Sequence, residues 1–152
     1  MTATSHAVIG TIIAAKIGNP TLAIPLAFLS HIAADALPHW DVGTNGHRKK
    51  KKSLKAEFFE ALLDVAAGFI LSYLLIYFFF PQTDLKYAFL LIIVSQSLDW
   101  ATAPFYFFDI KFPPFQWIYK FQKMFDNKLD KPWGVISQVV ILTLVLVLAK
   151  IF

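Results

Sequence analysis

The chain has 152 residues, of which 57% are hydrophobic and only 16% charged, with a mean hydropathy of +0.59 and a formal net charge of +4. This lies well outside ordinary globular usage and points to a single-domain polytopic membrane protein. The lack of any cysteine excludes a disulfide framework, a thiolate metal site and a cysteine nucleophile.

In chain order, Thr4 or Ser5 can cap a first helix that runs to about Ile17 and stops at Gly18-Asn19-Pro20. No basic residue precedes this apolar run, and Lys16 occupies the place of a cleavage region, so a signal peptide is not expected. A second helix is expected over residues 21–37. Pro38 ends it by disfavouring the α conformation at Leu37. At about 20 Å and 25 Å, these two helices are short for spans and suit a tight hairpin. Residues 39–55 form a polar loop with Gly43, Asn45, Gly46, His47 and the run Arg48 to Lys52. A third helix follows over 54–80, long enough to span with tilt and stopped by Pro81. A fourth runs from about Leu85 to Thr102, closed by Pro104. Residues 115–125 place Ile118, Phe121 and Phe125 at helical spacing among Trp117, Tyr119, Lys120 and Lys123. That pattern reads as an amphipathic helix lying at the membrane interface. A last apolar helix covers 133–152. The expected fold is therefore an all-α integral membrane helical bundle: about five hydrophobic helices, the first two short, plus the interfacial helix.

Charge sets an orientation. Residues 39–55 and 104–131 hold eleven of the 14 Lys and Arg, leaving Lys16, Lys86 and Lys150 elsewhere. Five alternating spans put both basic loops and the N-terminus on one side, which the bias marks as the cytoplasmic side of an inner membrane. The run at 48–55 then meets anionic lipid headgroups. No aromatic residues interleave with it, which speaks against nucleic acid.

The same topology gathers ionisable residues at the cytoplasmic end. His31 and Asp35 share one helix face, and His39 and Asp41 follow just beyond Pro38. His6 opens the first helix there. Glu57, Glu60 and Asp64 open the third, Asp99 closes the fourth and Gln138 opens the last. Such groups inside a membrane are costly and mark function by default. A divalent cation neutralises them. Mixed His/carboxylate ligation suits zinc, or manganese or iron where carboxylates dominate. His31, Asp35, His39 and Asp41 are the main candidate ligands, with His6 completing the set. Glu60, Asp64 or Asp99 is then a supporting acid or a general base. Glu57 reads as a helix-start acid and His47 as a solvated loop residue.

His6, followed by Ser30-His31-Ile-Ala-Ala-Asp35-Ala-Leu-Pro38-His39-Trp-Asp41, resembles the small inner-membrane proteins described as membrane-bound metal-dependent hydrolases. The His-x-x-x-Asp element is also similar to one in zinc-dependent phospholipase C and the related zinc nucleases. The resemblance covers chiefly residues 1–41, and loosely the acidic start of the third helix. It implies metal-dependent hydrolysis of a phosphoester or related bond in a lipid or membrane-proximal substrate. The alternative is a non-enzymatic membrane protein whose cluster binds a structural metal or ion. A carrier would need polar residues continuing to the far side, and the third and last helices are almost wholly apolar beyond their first turns.

Overall fold

The computed structural model describes residues 1–42 and 53–152; His47 and the basic run 48–52 lie outside them. The described residues form six helices and no strand: α1 (Ala3–Lys16), α2 (Pro20–Ala36), α3 (Leu54–Phe79), α4 (Leu85–Phe108), α5 (Pro113–Lys123) and α6 (Trp133–Ile151). Of these, α3, α4 and α6 are long and apolar enough to cross a membrane, whereas α2 is a shorter apolar helix.

Local chemistry sets most helix ends. Thr2, rather than Thr4 or Ser5, caps α1 by accepting from the Ser5 amide. Asn19 caps α2 and Pro20 takes its first position, where a missing N–H costs nothing. Leu37 is extended (φ −81, ψ 149), so α2 stops just before Pro38 as expected. Ser53 and Asp84 cap α3 and α4.

One boundary differs from expectation. α4 does not close at Thr102. It passes through Pro104 to Phe108 and ends on Asp109, a left-handed residue (φ 52) whose amide bonds the Pro104 carbonyl. A proline removes its own N–H from the ladder but leaves the following amides free to continue it, and membrane helices tolerate the gap. Pro25 inside α2 behaves in the same way.

α1 is the centre of the packing, touching α2, α3, α4 and α6, while α3 and α4 meet each other only sparingly. It runs parallel to α3 and antiparallel to α4. Thr4 lies on Asp64, and the Ile17 carbonyl accepts from the Tyr87 hydroxyl. Close approach needs a glycine at position 10. A Cβ there would lie 2.7 Å from Ser95 Oγ and 2.9 Å from the Leu91 carbonyl oxygen.

α5 is amphipathic, as its spacing predicts, but it is more than a surface anchor. It packs on α4 and turns Gln122 inward. The segment after it threads beneath the end of α2. There the His39 amide bonds the Asn127 carbonyl at 3.2 Å, and the Asn127 amide bonds the Asp35 carbonyl at 3.0 Å. Six helix ends meet at this pole of the molecule: the starts of α1, α3 and α6 and the ends of α2, α4 and α5.

Candidate functional site

Three helices deliver the central group. α1 supplies His6, α2 supplies His31 and Asp35, and α4 supplies Asp99. His6, His31 and Asp35 are buried, at 2% exposure or less. The two imidazoles stack, with ring centroids 3.9 Å apart and planes 12° apart. His31 Nδ1 lies 2.7 Å from the Ser95 carbonyl oxygen, so it carries the proton and donates. That leaves the Nε2 lone pair facing the carboxylates. Asp35 Oδ2 is 3.3 Å from it and Asp99 Oδ1 3.6 Å. His6 Nε2 lies 3.2 Å from Asp35 Oδ1 and 3.9 Å from Asp99 Oδ2. Neither His6 nitrogen makes a hydrogen bond of acceptable geometry, although the residue is 1% exposed. The amino group of Met1 also contacts Asp35.

His6, His31 and Asp99 each present one ligand atom, and these atoms all lie within 4.8 Å of one another. A four-coordinate site with bonds of about 2.0–2.2 Å spaces its donors about 3.3–3.6 Å apart. The imidazole–carboxylate separations of 3.2–3.9 Å fit that spacing. The set can hold a metal ion, and Asp35 stands against both imidazoles as a further oxygen donor. Gln122 fastens the group from α5. Its Nε2 lies 2.5 Å from Asp99 Oδ1, 3.2 Å from His31 Nε2 and 3.4 Å from Asp35 Oδ2.

A cavity of about 590 Å³ opens beside this group, with Asp35 and Asp99 in its wall. α3 contributes Glu57, Phe58, Ala61, Leu62, Asp64 and Val65. α4 contributes Trp100, Ala103, Tyr106 and Phe107, and α5 contributes Tyr119, Gln122 and Lys123.

The other residues singled out by sequence fall in distinct places. Asp64 caps α1 from α3, accepting from the Ala3 amide at 2.6 Å and the Thr4 hydroxyl at 2.7 Å. His39 and Asp41 stand apart from the paired imidazoles. His39 Nε2 faces Asp126 Oδ1 at 3.3 Å, and Asp41 pairs with Lys128 at 3.0 Å. Burial alone would raise the Asp126 carboxyl, but His39, Lys128 and Lys123 outweigh it and hold the group well below the usual carboxylate range. Burial likewise opposes the Lys128 charge, and Asp41 and Asp126 outweigh it, so its ammonium is held above the usual lysine range. Glu60 is half-exposed and is not among the residues that line the cavity. The acid that α3 turns into the cavity is Glu57, 5% exposed, which accepts from the Tyr106 hydroxyl at 2.9 Å.

Sequence reasoning passed over Glu57, Tyr106 and Gln122 as site residues. Glu57 reads as an N-terminal acid because helix starts favour carboxylates, yet Ser53 does the capping. Gln122 and Tyr119 are three apart and share a helix face, which was the signal available for α5. No family model, curated protein or solved structure matches this chain.

Proposed function

We propose that the protein is a membrane-embedded metal-dependent hydrolase that cleaves a phosphoester or related bond in a lipid or membrane-proximal substrate. The observation that carries this reading is the convergence of the His6 and His31 imidazoles on the Asp99 carboxylate at the wall of a cavity. On this reading His6, His31 and Asp99 would hold the metal and leave the fourth position to water, with Asp35 standing against both imidazoles. Zinc is favoured by two nitrogen donors, with manganese or iron as the carboxylate-rich alternatives. The metal's chemistry is to lower the pKa of a bound water toward neutrality.

The chain's own residues do the rest. The Ser95 carbonyl fixes the His31 tautomer. Gln122 orients Asp99. Glu57, rather than Glu60, Asp64 or Asp99, is the general base, because it faces the cavity and its partner Tyr106 holds the carboxylate in one orientation. Asp64 positions the start of α1, and so His6, rather than meeting substrate. His39 and Asp41, in their ion pairs, hold the segment that carries Lys128 against the end of α2. In the membrane, the α1–α2 hairpin enters from the cytoplasmic pole alongside the spans α3, α4 and α6, and the loop at 48–55 meets anionic headgroups.

The test is metal analysis of the purified protein together with hydrolysis of a phosphodiester and phospholipid panel. A stoichiometric transition metal is expected, and His31→Ala should lose it. Glu57→Gln should keep metal and thermal stability while lowering turnover by about 100–10,000-fold.

The second reading, a structural ion site without turnover, is favoured by the many scaffold contacts of these carboxylates, such as Asp35 on Met1 and Asp64 on α1. It predicts that metal-replete wild type cleaves nothing in the panel, and that Glu57→Gln and His31→Ala both act mainly on stability.

A further inference from the structure

The cavity lies between two helices that each suit a membrane span, and part of its wall is apolar. Asp99 and Gln122 line it toward the paired imidazoles. Ala61, Leu62 and Val65 of α3 and Trp100 and Ala103 of α4 supply an apolar stretch of the wall, while Glu57, Asp64, Asp126 and Lys128 also line the cavity. These two helices scarcely touch, because α1 separates them along most of their length.

Two aromatic contacts bridge the gap between them. Phe58 meets Phe107 and Phe108 near the polar pole, with centroids 5.2 Å and 5.5 Å apart, and Phe69 meets Phe89 deeper, at 5.5 Å. Between these bridges the facing residues include two alanines, which leave room. Leu62 and Trp100 both line the cavity and are well exposed, at 48% and 40%. The cavity therefore meets the flank of the molecule at a depth where neighbouring residues such as Leu63, 70% exposed, present an apolar surface. Ten residues separate Leu54 from Asp64, so this opening sits about 10–15 Å along α3 from its polar end.

We infer that the substrate of the proposed site is an acyl-chain lipid that enters sideways from the bilayer between α3 and α4. Its chain lies against Ala61, Leu62, Val65 and Ala103, and its polar head is directed at Asp99 and Gln122. The inference rests on the hydrolase reading for what happens to the lipid after entry, and on the gap alone for the entry itself. A cavity of about 590 Å³ falls within the range of about 300–1,000 Å³ usual for small-molecule sites, enough for a headgroup and part of a chain.

Photo-cross-linking tests it. The full chain is reconstituted in phosphatidylcholine vesicles doped with a phosphatidylcholine that carries a diazirine midway along one acyl chain. After irradiation, labelled residues are mapped by peptide mass spectrometry. Label is expected at Ala61, Val65 and Ala103, as well as on the exposed outer face of α6 at Leu144 and Val147. Ala61→Trp and Ala103→Trp should each remove the cavity label and leave the α6 label, which reports insertion and folding. Wild-type protein with α6 label and none at Ala61, Val65 or Ala103 overturns the inference without recourse to either variant. So does cavity label that survives both substitutions.

The same mapping on His6→Ala/His31→Ala protein separates this inference from the hydrolase reading. Cavity label there, with no lipid cleavage by wild type, retains lateral entry and removes the enzyme. Cleavage of a water-soluble phosphodiester by wild type, with no cavity label, retains the enzyme and removes lateral entry.

Discussion

At the scale of single residues, the site is held by side chains that each answer to more than one partner. Gln122 is the clearest case. One amide nitrogen lies within 3.4 Å of groups from α2 and α4, on Asp99, His31 and Asp35. It lies outside the three-residue group whose ligand atoms converge, so its role is to orient those atoms. Outer partners of metal ligands typically contribute about 10–100-fold in affinity. Gln122→Ala should therefore weaken metal binding by about that factor in a chelator competition titration, while the metal-free protein keeps its melting temperature. Unchanged affinity would leave Gln122 as packing alone. Topology alone sends His6, His31, Asp35 and Asp99 to one pole, but it sends His39 and Asp41 there as well, and it makes Asp99 a supporting acid where the folded chain brings it against both imidazoles. Gln122 was not legible, because an amide among aromatics on a basic helix has no spacing signature of its own. Glu57 and Glu60 show the limit of helix arithmetic. It puts both on the third helix near the same end, but only the placement of α3 opposite α4, where Tyr106 meets Glu57, decides which one lines the cavity.

At the scale of elements, punctuation residues carried most of the fold. Asn19-Pro20 and Pro38 act where their chemistry says, and Ser53 and Asp84 cap the helices that follow them, so all six helices begin within a few residues of expectation and all but α4 also end there. Pro104 misled because in a helix supported by neighbours a single missing N–H is affordable. α5 misled in part because amphipathicity reveals that a helix has an apolar face, without revealing whether lipid or protein covers it. The contact that matters most at this scale is α1 on α4. Gly10 lets α1 approach α4 at Ser95, whose carbonyl also meets His31, so the spacing of α1 and α4 bears on the site. Gly10→Ala places a Cβ 2.7 Å from Ser95 Oγ and 2.9 Å from the Leu91 carbonyl, and that carbonyl is backbone and cannot swing away. Overpacking of this kind costs about 1–3 kcal/mol. A lower melting temperature in detergent is expected, accompanied by weaker metal retention as His31 is displaced. A melting curve identical to wild type would mean that the two helices are not held as closely as this.

At the scale of the whole molecule, the two poles differ in charge as well as in chemistry. Lys16 ends α1 beside the start of α4, where Lys86 lies, because the Ile17 carbonyl accepts from Tyr87. Lys150 ends α6 and reaches the Phe79 carbonyl at the end of α3, 3.1 Å away. These three lysines therefore share the pole opposite the imidazoles. Lys55, Lys111, Lys120, Lys123, Lys128 and Lys131 belong to the imidazole pole. Among the described residues the basic side chains thus divide six to three between the poles, and the division does not depend on whether three helices span or five, because α1 and α2 form a hairpin whose two outer ends lie at the same pole. Translocation retains clusters of Lys and Arg in short loops on the cytoplasmic side. In intact cells, a cysteine introduced as Lys111→Cys should resist a membrane-impermeant maleimide added from outside, and Gln82→Cys, in the turn between α3 and α4, should react. Lys111 is a sound reporter because its side chain is 70% exposed, so protection there reflects the membrane and not burial. Permeabilised cells should label both positions. The reverse pattern in intact cells would place the imidazole pole outside, and any substrate of the site would then reach it from the outer leaflet.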